Sequence, residues 1–334
     1  MYKFSLILPV YNVEKFIGDC LDSLLDQDIS RQEYEIICVN DGSSDQSSQE
    51  IKKYMACYSN IKLIEQENTG VCAARNRGLE HAAGEYVWFI DPDDMIVSKC
   101  LGKIYKYMKQ EGADIFEFEY KICAENDRFE SKSVVFEIDG FNKLDASGSG
   151  WQYVCSLAYL KQNQIIWNEK LSYGEDYLWA FQVKYRNHKS LYTNVALYVY
   201  RQRQGSAMHS VDSEKIKKHM NDMAILYTIY EEEHKRCDNE NLGEGILKNI
   251  RQRQQLCAES VLYNLLKLKY DSRTLNQELR VLKKKGIYPY KYLVWNLMGK
   301  KVVNPLKFRI FTFLFPFEPY YKIVYKIYRR IGRS

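Results

Sequence analysis

Three carboxylates stand within four residues at Asp91, Asp93 and Asp94, directly after the apolar run formed by residues 86–90. A continuous apolar run of this length is typical of a strand that is buried on both faces. The acids would then emerge together at the carboxyl end of the strand, the edge where open α/β sheets bind ligands. Because clustered carboxylates are costly unless a positive group neutralises them, the segment predicts a site for Mg²⁺ or Mn²⁺. An acidic turn without a metal is the alternative.

Two earlier segments also end predicted strands, and each carries groups that suit a planar base. In residues 9–12, Tyr11 could stack on such a base and Pro9 would stiffen the chain beside it. After the second strand, the Asp41 carboxylate could accept a hydrogen bond from the imide N–H of a base, and Gly42 permits close backbone approach. Taken singly, residues 9–12 favour a strand that ends in a helix cap, and the segment around Asp41 fits a capped turn as well as a binding loop.

Residues 68–78 combine small side chains with two guanidinium groups. Gly70 would let a helix begin close to a ligand, and Arg75 and Arg77 could donate to a diphosphate or to a base carbonyl. The competing interpretation is a pair of solvated arginines on the surface of a helix.

Glu175 and Asp176 open a later segment of helical periodicity. Carboxylates are favourable at a helix N-terminus, so the pair could simply stabilise the start of that helix. The functional interpretation is that one of them is a general base directed into a cleft. Taken alone, the segment favours the first interpretation, stabilisation of the helix start.

The elements that would position these residues alternate between strand and helix patterns up to about residue 120. Such alternation predicts a parallel, doubly wound α/β sheet in which the strand ends meet at one edge. The predicted strands are residues 3–10, 35–40, 61–65, 85–90, 114–120 and 189–200. The predicted helices are residues 13–26, 47–58, 71–83, 98–110 and 151–162, and Asn12 is the predicted cap of the first of them. Long helical patterns follow. A boundary near Ser210 is predicted, giving an α/β domain at residues 1–210 and a mainly helical region at residues 211–334.

Bulk composition describes a globular chain rather than a membrane span or a disulfide scaffold. The 334 residues are 46% hydrophobic, and no apolar stretch reaches the length of a spanning helix. The nine cysteines show no paired spacing, which favours reduced thiols in the cytosol over disulfides or a zinc site. We expect no signal peptide, because the apolar residues 4–8 continue into Pro9 without a small-residue cleavage site.

The net charge of +5 hides a strongly basic end to the chain. From Lys283 onward thirteen basic residues stand against a single acid, Glu318, and residues 300–333 interleave those bases with phenylalanine and tyrosine. This pattern predicts docking on an anionic membrane surface. The alternative is a helical cap whose aromatic side chains are buried on the α/β domain. Nucleic acid would also attract the charge, but no recognition fold accompanies it, so no nucleic-acid partner is predicted.

The order of these segments resembles glycosyltransferase family 2, whose members are inverting enzymes of the GT-A fold, a Rossmann-like, mostly parallel sheet flanked by helices. The resemblance covers roughly residues 2–209 and includes a late segment at residues 200–206. Its main motifs are Pro9-Val10-Tyr11-Asn12, Asp41-Gly42-Ser43-Ser44-Asp45, Asn68-Thr69-Gly70, Ala74-Arg75-Asn76-Arg77-Gly78, Asp91-Pro92-Asp93 and Glu175-Asp176. One departure bears on the acceptor pocket: many members have a Trp-x-Lys pattern where Trp151 is followed by Gln152 and Tyr153.

The resemblance implies a nucleotide-sugar donor, most often UDP-linked, and a divalent metal, Mn²⁺ or Mg²⁺. Asp93 would be the main metal ligand, and Asp91 would contact the ribose or a metal-bound water. Asp94 would assist the metal or shape the turn. The residues implied for the base pocket are Pro9, Tyr11, Asp41 and, nearby, Arg75.

The resemblance also implies the catalytic roles. Asp176 would be the general base that takes the proton from the acceptor hydroxyl, and Glu175 would orient or support it. A single displacement at the anomeric carbon would invert its configuration. His209 could reach the diphosphate or the metal, although a surface position is the simpler interpretation for a lone histidine.

The resulting hypothesis is an inverting, metal-dependent hexosyl- or N-acetylhexosaminyltransferase of surface polysaccharide synthesis. Its acceptor would be a saccharide or a polyprenyl-linked saccharide, and it would work in the cytoplasm or at the inner face of the membrane. The alternative is a nucleotide-sugar-binding protein of a polysaccharide assembly complex without turnover. A sugar nucleotidyltransferase would need a glycine-rich loop after the first strand, which residues 9–12 do not provide.

Overall fold

The computed structural model describes residues 1–125, 133–141, 148–186, 188–202, 212–239, 243–268, 270–287 and 322. The chain divides into two compact units, Met1–Ala207 and Met208–Ser334. Four predicted features lie outside the described residues: the end of the late motif at residues 203–206, His209, the boundary at Ser210 and, apart from Lys322, the basic aromatic tail.

Four parallel strands and three helices form the start of the first unit: β1 (Tyr2–Val10), α1 (Ile17–Leu25), β2 (Tyr34–Asp41), α2 (Ser47–Cys57), β3 (Ile61–Gln66), α3 (Val71–His81) and β4 (Gly84–Phe89). The strand order is β3-β2-β1-β4. Side chains of β1 alternate between the faces of the sheet, so the neighbours Leu6 and Ile7 pack into separate hydrophobic clusters. Because the strands are parallel, their carboxyl ends lie at one edge, as the alternating pattern predicts.

The second half of this unit adds strands that enter the sheet in both directions. Its elements are β5 (Met95–Ile96), α4 (Leu101–Glu111), β6 (Ile115–Ala124), β7 (Gly140–Phe141), β8 (Tyr153–Ser156), α5 (Leu157–Gln162), α6 (Glu175–Lys184) and β9 (Ser190–Gln202). The sheet continues in the order β4-β8-β6-β9-β5, with β8 antiparallel to β4 and β6, and β6 parallel to β9. The predicted α/β fold is confirmed, and its sheet is parallel from β1 to β4 and mixed beyond β4.

Two local predictions are wrong. Residues 151–162 are not one helix, because part of this segment pairs with β4 as the strand β8 before α5 begins. The first helix begins at Ile17, and Asn12 does not cap it. Asn12 instead has a positive φ of 50°, and its Oδ1 accepts a hydrogen bond from the Ser44 N–H at 2.8 Å. Its side chain therefore joins the loops that follow β1 and β2.

The second unit is helical throughout its described part. Its helices are α7 (Ser213–Asn239), α8 (Glu244–Lys267) and α9 (Ser272–Lys284). Asp271 caps α9, because its side chain accepts hydrogen bonds from the N–H groups of Arg273 and Thr274. The prediction of a mainly helical C-terminal region is confirmed. None of the helices in the described ranges combines the length and the apolar character that a membrane span requires.

Candidate functional site

A cavity of about 780 Å³ lies where the parallel strands end. Loops after β1, β2, β3 and β4 and the start of α6 contribute to its lining. Eight residues selected from the sequence line it: Pro9, Tyr11, Asp41, Arg75, Asp91, Asp93, Glu175 and Asp176. Arg77, the second predicted donor, instead pairs with Glu80 on the exposed surface of α3. The topology therefore brings the predicted segments to one place, while the role of each residue stays a prediction.

The Asp41 carboxylate holds the loop that precedes α3. Its Oδ1 accepts hydrogen bonds from the Thr69 N–H and the Gln66 Nε2, and its Oδ2 accepts one from the Gly70 N–H, each at 2.8 Å. Gly70 has a φ of 99°, a conformation that residues with side chains rarely adopt. These contacts use one of the two lone pairs of Oδ2, so Asp41 keeps the capacity to accept a hydrogen bond from a ligand.

The loop after β1 presents the exposed ring of Tyr11 beside Pro9 in the cavity. This loop is fixed against the turn after β2, because the Asn12 N–H donates to the Ser43 Oγ at 3.1 Å. The two loops predicted to bind a base are thus tied together, and an exposed aromatic ring and the Asp41 carboxylate reach the same cavity.

Asp94 differs from the other two acids of its turn, because it is only 1% exposed. It accepts hydrogen bonds from the Tyr198 hydroxyl at 2.7 Å and from the Arg201 N–H at 2.8 Å, both on β9. Burial, together with the nearby charges of Asp93 and Asp91, raises the pKa of Asp94 to about 9. Asp94 therefore holds the turn against β9, and these contacts suit a residue that shapes the turn.

Asp91 and Asp93 line the cavity from the turn after β4. Within the part of the chain that the structure describes, no set of three or more His, Cys, Asp and Glu side chains is arranged to hold a metal ion by itself. Mg²⁺ commonly binds through one or two carboxylates when substrate phosphates and water supply the other oxygens. The pair fits that kind of shared site rather than a cage built only from protein ligands.

Arg75 is 3% exposed and lies between two groups of acids. Its Nη2 donates to the Asp91 Oδ1 at 2.8 Å. Its Nη1 lies 3.6 Å from an oxygen of Asp176 and 3.8 Å from one of Glu175. The guanidinium also stacks on the Trp167 ring, with 4.1 Å between its Cζ and the ring centroid. The interpretation as a solvated surface arginine is therefore wrong for Arg75.

Glu175 and Asp176 begin α6 after Gly174, which has a φ of 78°. The Asp176 Oδ1 accepts a hydrogen bond from the Gly150 N–H at 3.1 Å. Burial raises the pKa of both carboxyls, and the charge of Asp176 adds to the effect on Glu175, whose pKa reaches about 7. Arg75 acts in the opposite direction, because its positive charge favours both ionised forms. Carboxyls under such opposing influences in a cavity are candidates for proton transfer.

Sequence reasoning missed residues 165–171, of which Glu169 and Leu171 line the cavity. Asn76 fixes this segment: its Oδ1 accepts from the Trp167 N–H at 2.8 Å, and its Nδ2 donates to the Trp167 carbonyl at 2.9 Å and to Glu169 at 2.8 Å. Trp167 in turn stacks on Trp179 of α6, with ring centroids 4.9 Å apart. The available signal was an apolar run that ends in an aromatic residue shortly before the acidic pair.

The late motif reaches the site through Tyr200 and Arg201, which line the cavity. The Arg201 Nη2 donates to the Asp19 Oδ2 at 2.8 Å, so its charge is paired. Trp151, where the sequence departs from the family pattern, stacks on Tyr198 with ring centroids 4.3 Å apart. Trp151 therefore belongs to an aromatic cluster next to the site.

The parallel strands, the mixed second half of the sheet and the acidic turn after β4 define a fold of the GT-A class. Residues 5–156 match the family model described as Glycosyl transferase family 2. This match covers 152 of the 334 residues, so the similarity to glycosyltransferase family 2 is shown for the part of the chain from β1 to β8.

Named relatives and solved structures are similar to parts of the chain. The poly(ribitol-phosphate) beta-glucosyltransferase of Bacillus spizizenii is 35% identical over 180 residues, which are 52% of this chain and 28% of that protein. The crystal structure of S. aureus TarS 1–349 in complex with UDP-GlcNAc has a TM-score of 0.55 at 23% identity, over 87% of this chain and 94% of that one. The structure of the mannosyltransferase PcManGT from Pyrobaculum calidifontis, in complex with GDP-Man and Mn²⁺, has a TM-score of 0.54 at 14% identity. The match covers 98% of this chain and 86% of that one. The two structures support the fold, while the chain spans less than a third of the first relative's length.

Proposed function

We propose that the first unit transfers a sugar from a nucleotide-sugar donor to a saccharide acceptor, with inversion at the anomeric carbon, in the synthesis of a bacterial polysaccharide. One observation carries the proposal: Asp91 contacts Arg75 at 2.8 Å, and Arg75 lies 3.6 Å from Asp176. A donor-side acid and a candidate base are thus held on either side of one guanidinium. Transfer requires such proximity, because the leaving diphosphate and the acceptor hydroxyl meet at the same carbon.

The donor is proposed to be a UDP-sugar. The comparisons support a nucleotide sugar without fixing the base, since TarS was crystallised with UDP-GlcNAc and PcManGT with GDP-Man. Asp41 offers one remaining acceptor position on Oδ2, which matches the single imide N–H of uracil, whereas guanine presents two adjacent N–H donors. Tyr11 would stack on the base, and Pro9 would shape its pocket. Arg75 lines the same cavity, near the residues proposed to bind the base.

Asp91 and Asp93 would hold Mn²⁺ or Mg²⁺ together with the oxygens of the donor diphosphate. When bound, such an ion supplies positive charge that stabilises the charge growing on the departing diphosphate. The Mn²⁺ that accompanies the donor in the PcManGT structure supports this choice of metal.

Asp176 is proposed to act as the general base. It takes the proton of the acceptor hydroxyl while the hydroxyl oxygen bonds to the anomeric carbon and the bond from that carbon to the diphosphate breaks. Because burial raises the pKa of Asp176, the rate should increase with pH until this carboxyl is fully ionised. The Gly150 N–H and the Arg75 guanidinium both favour the ionised form of Asp176. Glu175 is proposed to orient Asp176 from the adjacent position.

The experiment compares Asp176→Asn with the wild type and with Asp238→Asn, which changes an exposed acid of α7. Calorimetry measures the binding of UDP with Mn²⁺, and UDP release from a panel of UDP-sugars measures hydrolysis and transfer. Asp176→Asn should bind UDP as the wild type does and release it at least about 100-fold more slowly, because general base catalysis is lost. Near-native turnover in this variant would contradict the role of Asp176.

The same assay separates the alternative function. A wild type that binds UDP with Mn²⁺ but neither hydrolyses nor transfers any donor would support a nucleotide-sugar-binding protein without turnover. A wild type that binds no nucleotide at all would contradict both functions.

The basic aromatic tail adds a proposal that rests on sequence. Residues 300–333 could dock on an anionic inner leaflet, where a polyprenyl-linked acceptor would be held within reach of the first unit. The interleaving of bases with aromatic residues supports this, because both suit the interface of a bilayer.

A further inference from the structure

An aromatic cluster lies beside the cavity, on β6, on β9 and in the turn before β8. The rings of Trp151 and Tyr200 are nearly parallel, with an angle of 12° and centroids 6.1 Å apart. The Tyr120 ring stands across both, at 85° to Trp151 and at 83° to Tyr200, with centroid distances of 4.9 and 6.5 Å. The three rings therefore form a corner with two faces at right angles.

The corner is exposed to solvent on the β6 side. Tyr120 is 41% exposed, and Ile122, two residues further along the same face of β6, is 61% exposed. The parallel register places Ile122 beside Tyr200 on β9. Tyr200 also lines the cavity, so the apolar surface formed by Tyr120, Ile122 and Tyr200 continues from the candidate active site.

The backbone joins this cluster to the candidate base. The Gly150 N–H donates to the Asp176 Oδ1 at 3.1 Å, and Trp151 is the next residue. The Trp151 carbonyl accepts a hydrogen bond from the indole N–H of Trp88 at 2.8 Å, which fixes this turn on β4. A group bound on the corner would therefore lie close to the carboxylate that takes the acceptor proton.

We propose that Tyr120, Ile122 and Tyr200 form the acceptor subsite and that they bind the pyranose ring of a saccharide. The inference rests on the proposed function and adds the residues that bind the acceptor and the form of the sugar that they bind, a pyranose ring. One face of a pyranose presents C–H groups, which pack against the electron-rich face of an aromatic ring and against an aliphatic side chain. The hydroxyls at the ring edge stay available to Asp176.

A linear polyol phosphate fits this subsite less well. Its phosphates would call for arginine or lysine donors. Among the described residues that line the cavity, only Arg75 and Arg201 are basic, and both contact carboxylates. A neutral pyranose needs no such donors, so the acceptor class inferred here differs from the poly(ribitol-phosphate) in the name of the Bacillus spizizenii relative.

The test is Tyr120→Ala, with Tyr263→Ala on α8 as the matched control, since Tyr263 is 38% exposed and belongs to the second unit. The acceptor probes are methyl glycosides and disaccharides of glucose, galactose and N-acetylglucosamine, with a ribitol phosphate oligomer as the competing class. Tyr120→Ala should raise the acceptor KM about three- to tenfold, the range expected for one lost aromatic contact. The donor KM should not change, and Tyr120→Phe should restore the acceptor KM.

Saturation-transfer difference NMR on the UDP-loaded protein gives an independent measurement. The ring protons of a bound pyranose should receive saturation from aromatic protons of the wild type and lose most of it in Tyr120→Ala. Equal acceptor KM and equal saturation transfer in the two proteins would overturn the subsite, as would preferential use of the ribitol phosphate oligomer. Failure of the proposed function would look different, because the wild type would then neither bind UDP nor hydrolyse any donor.

Discussion

The charge state of Glu175 leads to a prediction that can be measured without knowing the substrate. Burial and the adjacent Asp176 raise its pKa to about 7 in the folded protein, against 4.5 for an ordinary glutamate. A carboxyl with a raised folded-state pKa holds its proton more tightly in the folded protein, so the free energy of unfolding decreases as pH rises between the two values. At about 1.4 kcal/mol for each pKa unit, this decrease amounts to about 3 kcal/mol.

Glu175→Gln should remove this decrease in the free energy of unfolding, because the amide is neutral at every pH and has nearly the same shape as the carboxyl group. The variant is expected to match the wild type in stability near pH 4 and to be about 3 kcal/mol more stable at pH 8. The attraction by Arg75 is already contained in the pKa of about 7, since Arg75 lowers that pKa against the effect of burial.

Urea unfolding from pH 4 to pH 8.5, followed by tryptophan fluorescence, measures the difference. Trp167 and Trp179 stack in the first unit near the acidic pair, so their emission reports the unfolding of that unit. Glu80→Gln is the matched control, because Glu80 is an exposed residue of α3 and its replacement should keep the wild-type pH profile. Parallel pH profiles for the wild type and Glu175→Gln would mean that Glu175 ionises at its ordinary pKa, and the burial argument would be refuted.

Other charged groups carry separate expectations. UDP together with Mn²⁺ should raise the melting temperature of the wild type more than UDP alone. Asp93→Asn should abolish this additional increase, because a neutral amide is a poor ligand for a hard cation. An unchanged additional increase would exclude Asp93 as a ligand. Arg75→Met should lower the free energy of unfolding at pH 8 by about 3–5 kcal/mol, because Asp91 and Asp176 lose their buried partner. A decrease below about 1 kcal/mol, measured by urea unfolding, would contradict this expectation. For the tail, neutral replacements should reduce sedimentation with liposomes that contain phosphatidylserine, and equal sedimentation would exclude electrostatic docking. The replacements are glutamines at Lys300, Lys301, Lys307 and Arg309.

The first half of the sheet could be predicted because its signals are local. The strands β1, β2 and β4 are runs of largely buried residues with helical segments between them, so the order of elements follows from reading along the chain. The strand β8 could not be predicted in this way. Residues 153–156 form a strand because Val154 and Cys155 pair with β4 and β6, and both partner strands lie far away in the sequence.

The residues that line the cavity could be predicted from the sequence, but their burial and their pKa shifts could not. The sequence shows that Arg75 lies on a helix, and a surface position is the ordinary expectation for such a residue. Its burial depends on the Trp167 ring, on Asp91 and on the start of α6, which the fold brings together from separate parts of the chain. The raised pKa of Glu175 has the same origin, since it depends on burial that no local pattern reveals.

Three polar contacts explain how the two halves of the first unit keep the cavity in register. Asp94, after β4, accepts two hydrogen bonds from β9; Asn76, on α3, binds the backbone of Trp167; and the Gly150 N–H, before β8, donates to Asp176. The first two join the parallel half to the later half, and the third joins the turn before β8 to the start of α6. Because β8 enters antiparallel, the strand order alone does not determine where the loops of the later half end. The placement of the candidate base opposite the donor-side acids therefore depends on side-chain hydrogen bonds across the halves as well as on the sheet.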